Sequence, residues 1–401
     1  MRLKDISQLT PQYKGQPIDG EVSFVPMESL RNGSIDLKEI SYSEAKGKYT
    51  FFRNGDLLVA KVPPCFENGN IAIAENLKEG IGFGSSEIFV LRMNEKVLNK
   101  YMFYLTQTSH FQDAACATMC GVGGLKRISP LFMRTYELEL PSIDRQKRVV
   151  SYLDEKTATI DSNIGVLESK RDSFINLKAS LIQTVVTKGL NKECAFKDSG
   201  IDYMGAIPCH WGMGRLKENC EELESGKRPV EDAEEILSIG GEHIQNGTFY
   251  LEHEMFVSNK TYNDSKGKIR LGDILVVKDG ATIGKCMYVS SMPKEKMLLN
   301  EHVYRIKANK YYYYAIASRD SQYWFRSRNV SSAQESIKQV TMLNLPVAIP
   351  PVIEQKEIAD YLDVKCAEID KSIDCLSKQI EASNRLRRAL INEVITGKRA
   401  V

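Results

Sequence analysis

The chain has 401 residues, which suggests two or three domains, and 42% of them are hydrophobic, enough for real cores. Charged residues make up 26%, yet the formal net charge is only +2, so any nucleic-acid footprint must be local. The opening MRLKDISQLT has no apolar signal core, no apolar run approaches the roughly 20 residues of a membrane span, and the nine cysteines follow no framework; together these point to a reducing cytoplasm and no membrane partner.

Taken in order, residues 1–139 read as a first mixed domain. EIFVLRM, at Glu87–Met93, is one of its short strands, and a helix is expected near Lys100–Phe111. Residues 140–190 read as a long amphipathic helix starting after Pro141 and stopping near TKGL. Residues 191–214, which run into KDSGIDYMGAIPCHWGMGRLK (Lys197–Lys217), read as a linker into the second domain. Residues 215–348 repeat the mixed pattern, with strands in GDILVVK, KCMYV and EHVYRI and a helix near Tyr311–Arg326. Residues 349–401 form a second long helix.

The two long helices are copies. Leu140–Thr187 and Ile349–Thr396 align without a gap at an offset of 209 and match at 17 of 48 positions. Shared residues include Gln146/Gln355, Tyr152-Leu153-Asp154/Tyr361-Leu362-Asp363 and Ile160-Asp161/Ile369-Asp370. Ile160, Ile164, Leu167 and Leu181 in the first, and Ile369, Ile373, Leu376 and Leu390 in the second, lie on one apolar stripe, which Leu386 and Val394 extend. At 1.5 Å per residue each copy of about 43 helical residues reaches roughly 65 Å. So narrow a stripe on so long a helix needs a partner, and the obvious one is the other copy. Ile160, Ile164 and Leu167 are expected to face Ile369, Ile373 and Leu376.

The repeat reaches back into the domains. VPMESLRNG (Val25–Gly33) aligns with IGGEHIQNG (Ile239–Gly247), RNGDLLVAK (Arg53–Lys61) with RLGDILVVK (Arg270–Lys278), NKYMFYL (Asn99–Leu105) with NKYYYYA (Asn309–Ala315), and RLK at Arg2 with RLK at Arg215. Between these anchors the halves diverge.

Two divergent domains, each closed by such a helix, resemble the specificity subunit of a type I restriction-modification system. PPCFENGN (Pro63–Asn70) and GDILVVKDGATIGK (Gly272–Lys285) resemble recurring motifs of its target-recognition domains, and IPCHWGMGRLK (Ile207–Lys217) resembles the lead-in to one. The first domain departs from the pattern in lacking that lead-in. The resemblance implies an α+β fold: two strand-rich mixed target-recognition domains, each followed by a long helix, the helices pairing as an antiparallel coiled coil. It implies partners: double-stranded DNA, two methyltransferase subunits, and restriction/translocase subunits in the full complex. It implies no cofactor and no catalysis by this chain. A methylation-only system and a coiled-coil DNA-binding regulator or scaffold are the alternative readings.

No stretch of the sequence completes an enzyme motif. GATIGKC, at Gly280–Cys286, is one residue short of a phosphate-binding loop and leads into a strand, so a tight turn is expected. Cys116, Cys120 and His110 lack further ligands at zinc spacing, so no metal site is expected. DNA-binding candidates are Lys61 at the end of RNGDLLVAK, Asn70, Lys278 and Lys285 in the family-like motifs, Lys126 and Arg127 in a glycine-rich loop, Arg326 and Arg328 at the end of an aromatic helix, and Gln334 and Lys338. Arg and Lys suit phosphates and guanine, and Gln suits adenine.

Overall fold

The turn RNGD folds back on itself before a strand begins. Gly55 takes φ +87°, and the Asp56 carboxylate accepts from the Arg53 N–H at 2.9 Å. RLGD repeats this, with Gly272 at φ +87° and Asp273 accepting from the Arg270 N–H at 2.7 Å. Only glycine takes that φ without strain. The unbroken aliphatic runs that follow become fully buried strands, Leu57–Ala60 and Ile274–Val277.

The computed structural model describes residues 1–63, 65–121, 126–229, 235–245, 247–328 and 336–401. They form two units, Met1–Glu168 with Lys378–Val401, and Ser169–Ser377. Both are α+β. The first holds a four-stranded antiparallel sheet in the order Ser7–Leu9, Ile88–Met93, Leu57–Ala60, Ile71–Ile73. The second repeats it as Glu222–Ser225, Val303–Lys307, Ile274–Val277, Cys286–Tyr288. Each unit has another sheet containing one parallel pair, Glu21–Val25 with Ile81–Gly84 and Ile236–Ile239 with Met297–Leu299.

In both units an arginine, half-buried in the first and buried in the second, ties the turn to its sheet. Arg92 donates two hydrogen bonds to Asp56, at 2.8 and 2.7 Å, and Arg305 donates to Asp273 at 3.1 Å and to Glu222 and Glu224. The register makes Arg92 the counterpart of Lys307, and Arg305 that of Val90. The two arginines sit two residues apart on one face and still reach the same aspartate.

Each helix expected in the domains is two helices. Asn99–Leu105 and Ser109–Cys116 replace the first; Lys310–Ala317 and Arg319–Ser327 replace the second. The hydroxyls of Thr108 and Ser318 cap the later helix of each pair, accepting from the Phe111 and Ser321 N–H groups. Periodicity hid these breaks because the apolar pattern runs through them. The segment read as a linker is packed: Phe196–Asp198 pairs with Ala206–Pro208, and buried Trp211 donates its indole N–H to Glu354 at 2.9 Å.

The long helices span Ile143–Lys188 and Val352–Ile395. Within each unit their segments run antiparallel. Arg387 donates to Asp161 at 2.8 Å in the first, and Lys178 to Asp370 at 2.6 Å in the second, the same pair in repeat terms. This register corrects the expected facing of like stripes. Ile160 lies beside Arg387, and Ile369 beside Lys178, because an antiparallel pair brings together opposite ends of the repeat. Ile369 and Leu376 are buried; Ile160, Ile164, Leu167 and Ile373 are partly buried. Leu390 joins the first unit's core and Leu181 packs on that of the second, so these two seal helix to domain. Leu386, expected on the stripe, is 60% exposed.

The residues common to both copies form the joint between domain and helix. Gln146, fully buried, accepts from the Leu98 N–H at 2.9 Å and donates to the carbonyls of Lys96 and Pro141 at 3.1 and 3.0 Å. Gln355 accepts from the Asn309 amide at 2.6 Å and donates to the Pro350 carbonyl at 2.8 Å. Asp154 receives the Lys100 ammonium at 2.8 Å and the Tyr104 hydroxyl at 2.7 Å. Asp363 receives Lys310, and Tyr314 at 2.6 Å. Burial, together with the adjacent carboxylate, pushes both tyrosines well above their ordinary 10.0. Q146A strands a buried backbone donor, and we expect it to cost roughly 1–3 kcal/mol. Chemical denaturation of the full chain checks this; an unchanged midpoint would show that the joint does not depend on Gln146.

Candidate nucleic-acid interface

The strand Leu57–Ala60 delivers Lys61 to an exposed corner of the first unit. The Lys61 N–H donates to the Glu87 carbonyl, and its own carbonyl accepts from the Ile128 N–H. The ammonium bonds the Ser86 carbonyl and lies 4.7 Å from the centre of the Phe89 ring. Burial pushes this lysine below its ordinary 10.5, against the pull of Glu87. Arg127 meets Glu87 in a bidentate pair, both bonds 2.7 Å. Asn70 pairs its carbonyl with the Ala60 N–H on the neighbouring strand, and exposed Lys126 adjoins Arg127. Three stretches far apart in sequence thus bring Lys61, Asn70, Lys126 and Arg127 together.

The second unit builds the same corner from Ile274–Val277. The Lys278 N–H donates to the His302 carbonyl, and the Lys278 carbonyl accepts from the Ile337 N–H. The Lys278 ammonium lies 5.3 Å from the Tyr304 ring centre. His302 Nδ1 is 2.6 Å from Asp279 Oδ1, and its Nε2 is 3.5 Å from Glu301. Lys285 stands across the hairpin, its carbonyl accepting from the Val277 N–H, and exposed Lys338 follows Ile337. GATIGK is that hairpin's turn, with Gly280 and Gly284 at φ +87° and +82°. Arg326 and Arg328 lie at the end of another helix; Arg328 stacks 4.3 Å from the Trp324 ring centre. Gln334 lies outside the described residues.

Sequence reasoning missed Glu87, Asp279 and His302. The available signal was the alignment of EIFVLRM with HVYRI, which puts Glu87 opposite His302 at the same strand entrance. Of the other sites weighed, His110 bonds the Tyr136 hydroxyl at 2.8 Å and Cys120 the Thr118 carbonyl at 3.0 Å. A cleft of ≈ 1070 Å³ in the first unit has five carboxylates in its wall, Asp161 and Glu381 among them, against Arg387 and Arg388. That surplus repels a phosphate backbone. No described helix is long and apolar enough to cross a membrane.

The model of one family, described as the type I restriction modification DNA specificity domain, matches residues 1–169 and 208–381. The chain belongs to this family. It is 28% identical over 188 residues to the type I restriction enzyme EcoAI specificity subunit of Escherichia coli, covering 46% of this chain and 31% of that protein. It is 22% identical over 398 residues to the type I restriction enzyme MjaVIII specificity subunit of Methanocaldococcus jannaschii, covering 96% and 87%. The match thus spans about a third of the EcoAI protein and of the EcoEI specificity subunit of Escherichia coli. A solved chain from a study of assembly and conformational transition in the type I R-M system aligns with TM-score 0.67 at 16% identity, covering 98% of this chain and 96% of that one. The fold is therefore that of this family, with its strand-rich domain twice over.

The Arg127 hydrogen bonds hold the Glu87 carboxyl below its ordinary 4.5. A lowered carboxylate adds stability above the unfolded value that is lost as pH falls through the folded one. In R127A the Glu87 titration, followed by carboxyl carbon NMR, is expected to move upward. An unmoved midpoint would mean that the pair does not persist in solution.

Proposed function

We propose that this chain is the DNA sequence-recognition subunit of a type I restriction-modification complex. It binds an asymmetric, bipartite duplex target and positions two methyltransferase subunits, with restriction/translocase subunits completing the complex. The observation that carries this reading is one frame built twice, with lysines at matched corners and different side chains around them, in a chain of this family. Lys61, Lys126, Lys278 and Lys338 supply phosphate attraction, and the divergent neighbours supply sequence choice. Chemistry belongs to the partner chains: the purified chain alone is expected to transfer no methyl group and cut no DNA. S-adenosylmethionine-dependent methylation by the chain alone would overturn that division of labour.

The repeated helix serves as the ruler between half-sites. Support comes from the fact that each long helix contributes residues to both units. Four residues inserted at equivalent points of both helices add roughly 6 Å of rise and turn each by only about 40°. That is close to two base pairs of B-DNA, at about 3.4 Å each. The expected methylated target keeps both half-site sequences and gains one or two unread base pairs between them. A folded variant that methylates the original spacing would show that helix length does not set the spacer.

A further inference from the structure

The two corners agree in their backbone down to single hydrogen bonds. The Ser85 and Asn300 N–H groups donate to the carbonyls of Val25 and Ile239. The Ser85 hydroxyl and the Asn300 amide oxygen then accept from the N–H two residues on, that of Glu87 and of His302. Lys61 and Lys278 donate to the carbonyls of these same residues, and Ile128 and Ile337 close both corners. Glu87 therefore corresponds to His302, and Arg127 to Ser336. On an identical frame the chemistry is exchanged, from an arginine–carboxylate pair to a histidine–carboxylate pair.

Resting on the DNA-recognition reading above, we propose that Arg127 and His302 are the base-reading side chains of the two half-sites. Glu87 and Asp279 act as their positioning residues. Both readers are well exposed, with side chains 43% and 47% accessible. Both are oriented in advance by a carboxylate, Arg127 through Nε and Nη2 and His302 through Nδ1. Such orientation lowers the ordering cost of binding. Each stands beside a lysine held by the frame, Lys61 or Lys278, which draws the phosphate backbone to the corner. Glu87 takes the Nε–Nη2 side, and a guanidinium that meets a base end-on, through its two Nη groups, fits the O6 and N7 acceptors of guanine in the major groove, so Arg127 specifies a G·C pair in the first half-site. With Nδ1 engaged by Asp279, His302 has Nε2, 3.5 Å from Glu301, to make a single bond to a base edge in the second half-site. The half-sites then differ because the shared corner presents its reader from different positions, the one filled by Ser336 in the second unit and the one filled by Glu87 in the first.

A bare surface ion pair contributes little to stability and implies no recognition. The test must therefore read sequence. The full chain, assembled with its methyltransferase partner, is used to select duplexes from a random library. Wild type is expected to enrich two fixed blocks. R127A and R127K are both expected to relax one guanine position of one block by about tenfold or more, leaving the other block intact. H302A and H302Q are expected to relax one position of the other block only. E87Q, which keeps the arginine, is expected to relax the R127A position more weakly. Folded variants, judged by unchanged thermal melts, that enrich the wild-type blocks unaltered would overturn the assignment and leave the functional reading standing. A wild-type complex that enriches no sequence would overturn the functional reading, and this assignment with it.

Discussion

A buried amide and a half-buried carboxylate hold each recognition domain to the start of its long helix, and the rest of the structure depends on that joint. Gln146 and Gln355 satisfy backbone groups that would otherwise be stranded at the helix entrance. Asp154 and Asp363, two turns further on, each receive a lysine and a tyrosine from the domain's own helix. Polar groups in such places are costly unless fully paired. The joint therefore has one low-energy geometry, and a domain fixed this way cannot swivel freely on its helix.

The other end of each helix is secured by apolar packing. Leu390, Ile391 and Val394 enter the first unit's core, and Ile182, Val185 and Val186 enter the second's. Each unit therefore combines its own helix start with the other helix's end, and the Asp161–Arg387 and Asp370–Lys178 pairs record the register. The same device is thus used once in each unit of a chain whose domains have diverged.

Divergence is concentrated where it does not disturb the frame. The strands, the RNGD and RLGD turns and the aspartate–arginine ties recur in both units. Even there the arginine has shifted by two residues along the strand and kept its aspartate. At the corners the hydrogen bonds that fix the backbone use main-chain atoms and the side chains of Ser85 and Asn300, and leave the side chains of Glu87, Arg127, Asp279 and His302 to vary. A scaffold held by its backbone can change what it presents without refolding.

The sequence by itself determined the α+β class, the presence and length of the two long helices and the correspondence of the two halves. Periodicity and a gapless repeat are local, additive signals that survive without coordinates. It also singled out Lys61, Arg127, Lys278 and Lys338. Their grouping into two corners was decided only by the tertiary structure, because Lys61, Glu87 and Arg127 meet through hydrogen bonds between strands remote in sequence. The breaks at Thr108 and Ser318, the burial of Trp211 and the exposure of Leu386 were likewise tertiary matters, for caps and packing partners compete with propensity only once the chain has folded. The helix register was undetermined for a related reason. A stripe shows that a helix needs a partner but not which residues meet, and the pairing of Asp161 with Arg387 and of Asp370 with Lys178 was visible only in the folded chain.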